Sequence, residues 1–217
     1  MTVLGGYWES SYRSGHVPWD PGPYDGHLPR VLQDHAVAPC TALDIGCGEG
    51  KSSVWLARKG FSVLGIDVSP TAIETAQTIA RGSLGQRVET KGGGSGDTHF
   101  VTGSFPEDLS EPARRMGAGD GFGFIMERGL LQHMTSSRLH RPFLDAVGRW
   151  LLPEGIFYSL IAKSEGAHRY AGPPTWSEKG VRAAFRGVLE IVELRGDVFT
   201  PGEVGSIPAW VVVSRRE

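Results

Sequence analysis

The sequence predicts an α/β fold, a three-layer sandwich in which a seven-stranded, mostly parallel sheet carries helices on both faces and ends in an antiparallel C-terminal strand. Three observations predict it. Strand-like and helix-like stretches alternate from Thr41 onward. A glycine-rich turn, LDIGCGEG (Leu43–Gly50), joins the first strand of that series to its first helix. Two strand-like stretches then close the chain with no long helix between them, the mark of an antiparallel edge pair.

Each element has a local reason. The residues up to about Arg30 are rich in Trp, Tyr, Pro and Gly and lack clear periodicity, so they read as an arm. Disordered tails rarely carry so many aromatics, so this arm is expected to pack on something. TALDI is the first strand, and KSSVWLARKG a helix closed by Gly60. FSVLGID is the second strand. In SPTAIETAQTIARG, Ser69 is the N-cap and Pro70 the first helical residue. Ile73, Ala76 and Ala80 share one face of that helix, and Gly82 is expected to stop it. Residues 82–98 form a glycine-rich polar insertion that reads as flexible. HFVTGSF is the third strand, PEDLSEPARRM a short helix and GFGFIME the fourth strand. SSRLHRPFLDAVGRWL is a helix with Leu139, Phe143, Val147 and Leu151 spaced to face inward. GIFYSLIAK is the fifth strand, and SEKGVRAAF a helix with Val181, Ala184 and Phe185 inward. LEIVELRGD and AWVVVSRR are the closing strands. Trp150 and Trp210 are expected in the core.

Composition narrows the function. The chain has 217 residues, enough for one domain with a sizeable core, so residues 1–217 are expected to be a single domain. Hydrophobic residues are 40%, charged residues 21% and net charge −2, which gives no basic field for nucleic acid or membrane. There is no apolar run of about 18 residues, and the first residues lack the pattern of a signal peptide. The two cysteines, Cys40 and Cys47, suit a reduced cytoplasm. His16, His27 and His35 have no spacing partner that makes a metal site, and no metal is expected.

The glycine loop carries the function. In such a sheet the ligand crevice lies beyond the carboxyl ends of the strands, where strand order reverses. The loop sits at that place and opens a helix whose unpaired N–H groups suit an anion. Lys51 stands where a dinucleotide fingerprint needs its third glycine. Ile45 stands where an ATP-binding loop needs its first. Asp67 ends the next strand, about twenty residues on, where a carboxylate accepts both hydroxyls of a ribose.

At this point the chain resembles the class I S-adenosylmethionine-dependent methyltransferases. LDIGCGEG looks like their first motif and GIDVSPTAIETAQ like their second. YWESSYRSGHVPWDPG and FIMERGLLQHM look like the thiopurine, thiol/halide and tellurite branch, in which a Trp-containing N-terminal segment closes over the cofactor. The resemblance implies a Rossmann-like sheet of seven strands and S-adenosyl-L-methionine as cofactor. It implies that Gly46 and Gly48 approach the methionine part; Cys47 between them reads, from its place in the loop, as a small packing residue. It implies Asp67 on the ribose, Val68 beside the adenine, and Ser104 and Phe105 on the adenine-side turn. Many relatives carry an aspartate at the Ser104 place. Glu127 and Arg128 end the fourth strand, where the methyl group would face its acceptor.

Several roles stay open between two readings. Asp44 orients the loop or the cofactor's amino group, or else bonds local backbone N–H groups. Arg128 faces the substrate or pairs with Glu127. His133 is a general base or a structural ring. Trp8, Tyr12 and Trp19 cage the sulfonium by cation–π attraction or close the domain hydrophobically. The sulfonium methyl is already electrophilic, so placement can supply most of the rate. A soft acceptor such as a thiolate needs little or no base, which favours a small-molecule thiol. The alternatives are a hydroxyl acceptor served by His133, or a cofactor-dependent reaction that transfers no methyl. The stretch MERG lacks the signature of DNA amino-methylating enzymes.

Overall fold

The computed structural model describes residues 3–84, 96–164, 173–199 and 207–216. Two helices come first, α1 (Val3–Ser14) and α2 (Leu28–Asp34). The alternating series follows: β1 (Thr41–Ile45), α3 (Lys51–Arg58), β2 (Ser62–Asp67), α4 (Pro70–Leu84), β3 (Asp97–Thr102), α5 (Ser110–Arg115) and β4 (Phe122–Arg128). A 3₁₀ turn at Leu131–His133 leads into α6 (Ser137–Trp150), β5 (Leu151–Ala162), α7 (Glu178–Phe185), β6 (Leu189–Phe199) and β7 (Ile207–Arg216).

The seven strands form one sheet in the order β3-β2-β1-β4-β5-β7-β6. β1 through β5 run parallel, and β7 runs antiparallel to both β5 and β6. Strand order reverses between β1 and β4, which opens the crevice there. The central strands are buried on both faces, as helices on each side require. On one face Leu43, Ile45, Ile125 and Phe157 pack with Phe143, Leu144 and Val147 of α6 and Phe185 of α7. On the other, Ala42, Val63, Phe124 and Tyr158 pack with Val31 of α2 and Leu56 of α3. Each large apolar side chain so buried contributes roughly 1.5–3 kcal/mol. Among the described residues no helix is long and apolar enough to cross a membrane.

Several boundaries differ from the sequence reading. The arm is not irregular throughout. It contains α1, and α2 follows it, because aromatics at helical positions pack on neighbouring elements without making a regular apolar stripe. α4 runs past Gly82 to Leu84. Most of the glycine-rich insertion, residues 85–95, lies outside the described residues. Leu139 is 52% exposed and is not a core residue. The buried stripe of α6 is Phe143, Leu144, Ala146 and Val147, and Ser137, Arg138 and Leu139 of its first turn are exposed. Leu151 opens β5, which starts earlier than Gly155. Trp210 is buried, and Trp150 packs on the same core from its margin.

Candidate active site

The glycine loop has two uses for bare backbone, a sharp turn and the close approach of another group. Gly46, Gly48 and Gly50 take φ of 70°, 54° and 70°, a region that favours glycine. Gly46 N–H and Cys47 N–H both donate to Ile66 O, at 2.8 and 3.2 Å, which ties the loop to β2. A Cβ on Gly50 would meet Phe100 at 2.6 Å, so that glycine serves packing. Gly48 faces the crevice, and a Cβ there would meet the Tyr12 hydroxyl at 2.5 Å.

Asp67 closes β2 beside the loop. Its Oδ2 accepts from Gly48 N–H and its Oδ1 from Ser69 N–H, both at 2.9 Å. Burial raises its pKa, and these bonds pull the other way. A carboxylate has lone pairs to spare beyond those two bonds. Asp44 is buried at the end of β1, where Ser53 Oγ donates to its Oδ2 at 2.6 Å. Burial pushes its pKa up to about 7. Cys47 is half-buried, and desolvation pushes its thiol well up, which suits packing and not reactivity. Val68 is half-buried between Asp67 and the N-cap Ser69, whose Oγ accepts from Ala72 N–H at 3.1 Å. Ser104 N–H donates to Asp108 Oδ2 at 2.8 Å, so an aspartate four residues on organises that turn. Phe105 stands edge-on to Phe143, with centroids 5.3 Å apart.

At the end of β4 the two charged neighbours take different partners. Glu127 has no exposure: Ser159 Oγ donates to its Oε1, and Leu130 and Leu131 N–H donate to its Oε2 at 2.8 and 3.1 Å. It therefore shapes the turn after β4, where the resemblance has the methyl group face its acceptor. Gln132 pins the same turn, its Oε1 accepting from Ala162 N–H at 2.8 Å. Arg128 donates from Nη1 to Trp19 O at 2.7 Å and lies 4.0 Å from Asp25. Asp25 is buried and accepts from Tyr158 Oη at 2.6 Å. His133 stands edge-on to Trp8 at 5.2 Å, and burial lowers its pKa.

The N-terminal arm covers the crevice. Trp8 and Trp19 stand edge to face at 4.9 Å, and Trp19 Nε1 donates to Tyr12 Oη at 3.2 Å. Glu9 of α1 binds the start of α4. Its Oε2 accepts from Ser69 Oγ at 2.7 Å, and its Oε1 from Thr71 Oγ1 at 2.8 Å. Lys51 pairs with Asp20 of the arm and with Glu49 of the loop. The crevice is lined by Tyr12, Trp19, Asp20, Gly46 to Glu49, Lys51, Met126 and Arg128, among others. So the structure brings Tyr12, Trp19, Asp44, Gly46, Cys47, Gly48 and Arg128 around one cleft, with Asp67 bonded to the loop at Gly48. Trp8 and His133 join it through Trp19: Trp8 stands edge-on to Trp19, and His133 to Trp8. The sequence reading missed Glu9, Asp20, Asp25, Lys51 and Met126. No spacing rule links them to the glycine loop. Only Lys51 had a signal, as a cation just after a glycine turn. Two histidines outside this cleft have structural partners: His35 pairs with Glu193 at 2.6 Å and His27 lies 3.7 Å from Asp197, tying the ends of α2 to β6.

Solved structures agree with the architecture. The 1,6-didemethyltoxoflavin-N1-methyltransferase of Burkholderia thailandensis, solved with S-adenosylhomocysteine, superposes with a TM-score of 0.72 at 20% identity, covering 99% of this chain and 87% of that one. The fold is therefore that of the Rossmann-like S-adenosylmethionine-dependent methyltransferases. Within that class, residues 4–208 match the thiopurine S-methyltransferase (TPMT) family, and the chain belongs to it. The curated relatives match over shorter stretches. The probable thiol methyltransferase 2 of Arabidopsis thaliana is 35% identical over 69 residues, 32% of this chain and 30% of that protein. The 2-heptyl-1-hydroxyquinolin-4(1H)-one methyltransferase of Mycobacteroides abscessus is 33% identical over 79 residues, 33% of this chain and 34% of that protein. The chain thus spans about a third of the length of these relatives.

The residues fit the cofactor of the class. Main chain without side chains faces the crevice at Gly46 and Gly48, and a buried carboxylate, Asp67, stands one strand away with lone pairs to spare.

Proposed function

We propose that the chain transfers a methyl group to a small soft nucleophile, foremost a thiol, chiefly by placement, and that it acts in the cytoplasm. S-adenosylmethionine, when bound, supplies the electrophilic methyl. Gly46 and Gly48 would hold its amino-acid part, Asp67 the ribose, Val68 the adenine edge, and Ser104 and Phe105 the adenine-side turn. Asp44 and Cys47 would support the loop from below. Trp8, Tyr12 and Trp19 would act as a lid that keeps water out. Because the Tyr12 hydroxyl lies against Gly48, the lid must shift to admit the cofactor.

The aromatic acceptor margin supports this reading most directly. Trp8 stands edge to face with both Trp19 and His133 there, and Arg128 is one of the cations of the adjoining cleft. A thiol is a few per cent ionised near neutral pH, and a nearby guanidinium favours the thiolate. Such an acceptor needs orientation and dryness more than a base.

A panel of thiols, halides, selenite, tellurite and phenols, assayed with labelled cofactor for release of S-adenosylhomocysteine, tests it. Thiols should turn over. One observation favours a second reading, O-methylation with His133 as base: burial lowers the pKa of that ring, which favours the neutral form that accepts a proton. His133→Ala should spare thiol methylation and cripple hydroxyl methylation. Loss of thiol turnover in that variant would give His133 a direct part in the thiol reaction.

A further inference from the structure

Two cations, Arg128 and Lys51, line the crevice, and the N-terminal arm engages both. Arg128 grips the main-chain oxygen of Trp19. The neighbouring residue, Asp20, pairs through Oδ2 with Lys51, the first residue of α3. Lys51 Nζ also lies 2.9 Å from Glu49 Oε2. All three side chains line the cleft and keep 24–28% exposure, so a ligand in the cleft can reach them. Asp20 is presented by its own turn, with Oδ1 accepting from Gly22 N–H at 2.9 Å and its N–H donating to Val17 O at 3.0 Å. Lys51 therefore carries two carboxylates against one positive charge.

We propose that Lys51 recognises the carboxylate of the cofactor's amino-acid end, and that Asp20 occupies that place until the cofactor displaces it. This rests on the reading above that the amino-acid end lies over Gly46 and Gly48. The charge-assisted bond lost to Asp20 is replaced in kind by the incoming carboxylate. A third carboxylate around one ammonium repels the other two. Glu49 belongs to the glycine loop and is held there. Asp20 belongs to the arm, so it is the group that leaves. Its release loosens the segment that carries Trp19, the hydrogen-bond partner of Tyr12 over Gly48. Cofactor arrival and arm movement are then linked through one ion pair, and the linkage is reciprocal.

Calorimetry with S-adenosylhomocysteine and with its decarboxylated analogue, which keeps the adenosine, thioether and amine, tests this. Lys51→Met should weaken S-adenosylhomocysteine at least about tenfold, about 1.4 kcal/mol, and leave the decarboxylated analogue within about twofold. Lys51→Gln should behave alike, and a melting curve for each variant verifies folding. Asp20→Asn removes the competitor, so S-adenosylhomocysteine should bind at least as tightly as to the wild type. Equal weakening of both ligands by Lys51→Met, or about tenfold weakening of S-adenosylhomocysteine by Asp20→Asn, overturns the proposal. Wild-type protein that binds both ligands equally also overturns it and leaves the cofactor reading standing. Wild-type protein that binds neither removes the cofactor reading and this proposal together.

Discussion

Glu127 shows how a single buried carboxyl leaves a mark that pH reveals. Burial raises its pKa to about 7, against the hydrogen bonds from Ser159, Leu131 and Leu130. In an unfolded chain the same group titrates near about 4.3. The folded chain therefore holds this proton more tightly than the unfolded one. The resulting stabilisation is fully present below the unfolded value and is lost as pH rises through about 7. Asp44 acts in the same direction, with its pKa also at about 7. Glu127→Gln keeps the size and one acceptor but cannot ionise. The melting temperature of the wild type relative to Glu127→Gln should therefore be higher at pH 5 than at pH 8. A difference that does not change with pH would mean that Glu127 keeps its proton, or its charge, throughout. The sequence placed Glu127 at the end of β4 correctly. That its side chain turns into the protein depends on Ser159, a residue of another strand, which no local pattern names.

Among the elements, α1 is the one whose position matters most and whose existence was hardest to read. Its aromatics meet Trp19 and His133, and its Glu9 meets the start of α4. None of these contacts lies at a helical spacing, so the segment looked irregular. Ser69 was legible as an N-cap because its partner, Ala72, is three residues away. Its second partner, Glu9, is 60 residues away. If Glu9 holds α1 over the crevice, Glu9→Ala should speed dissociation of S-adenosylhomocysteine at least about fivefold, since changes at one interface fall mostly on the off-rate. Stopped-flow fluorescence of Trp8 and Trp19 reads this directly. An unchanged off-rate would leave Glu9 as a cap for α4 and nothing more. By contrast, β1, β2, α3 and α4 were legible from end to end or nearly so, because apolar runs, capping residues and glycines all act within one turn or one strand.

For the whole molecule, the reversal of strand order between β1 and β4 gathers Asp44, Asp67 and Arg128 from three strands around one glycine loop. A ligand bound only by this assembled site stabilises the folded chain as a whole. S-adenosylhomocysteine at 100 times its dissociation constant should add about 2.7 kcal/mol. Asp67→Ala, with affinity reduced at least about tenfold, should keep about half of that gain or less at the same concentration. Thermal unfolding with and without ligand measures both. An equal shift in wild type and variant would remove the ribose role from Asp67.

The alternation of strands and helices from Thr41 onward, the glycine turn after β1 and the class of cofactor all follow from residues close together in the chain. Side-chain alternation, helical period and steric freedom at φ near +60° are local properties, and a sequence displays them openly. The shape of the cleft is another matter. Arg128 reaches Trp19 across 109 residues and Tyr158 reaches Asp25 across 133, while Lys51 finds Asp20 in an arm with little regular pattern. These pairings exist because the sheet order and the docking of the arm bring the groups together. Partners that meet only through packing leave no period in the chain that joins them, so tertiary structure alone decides them.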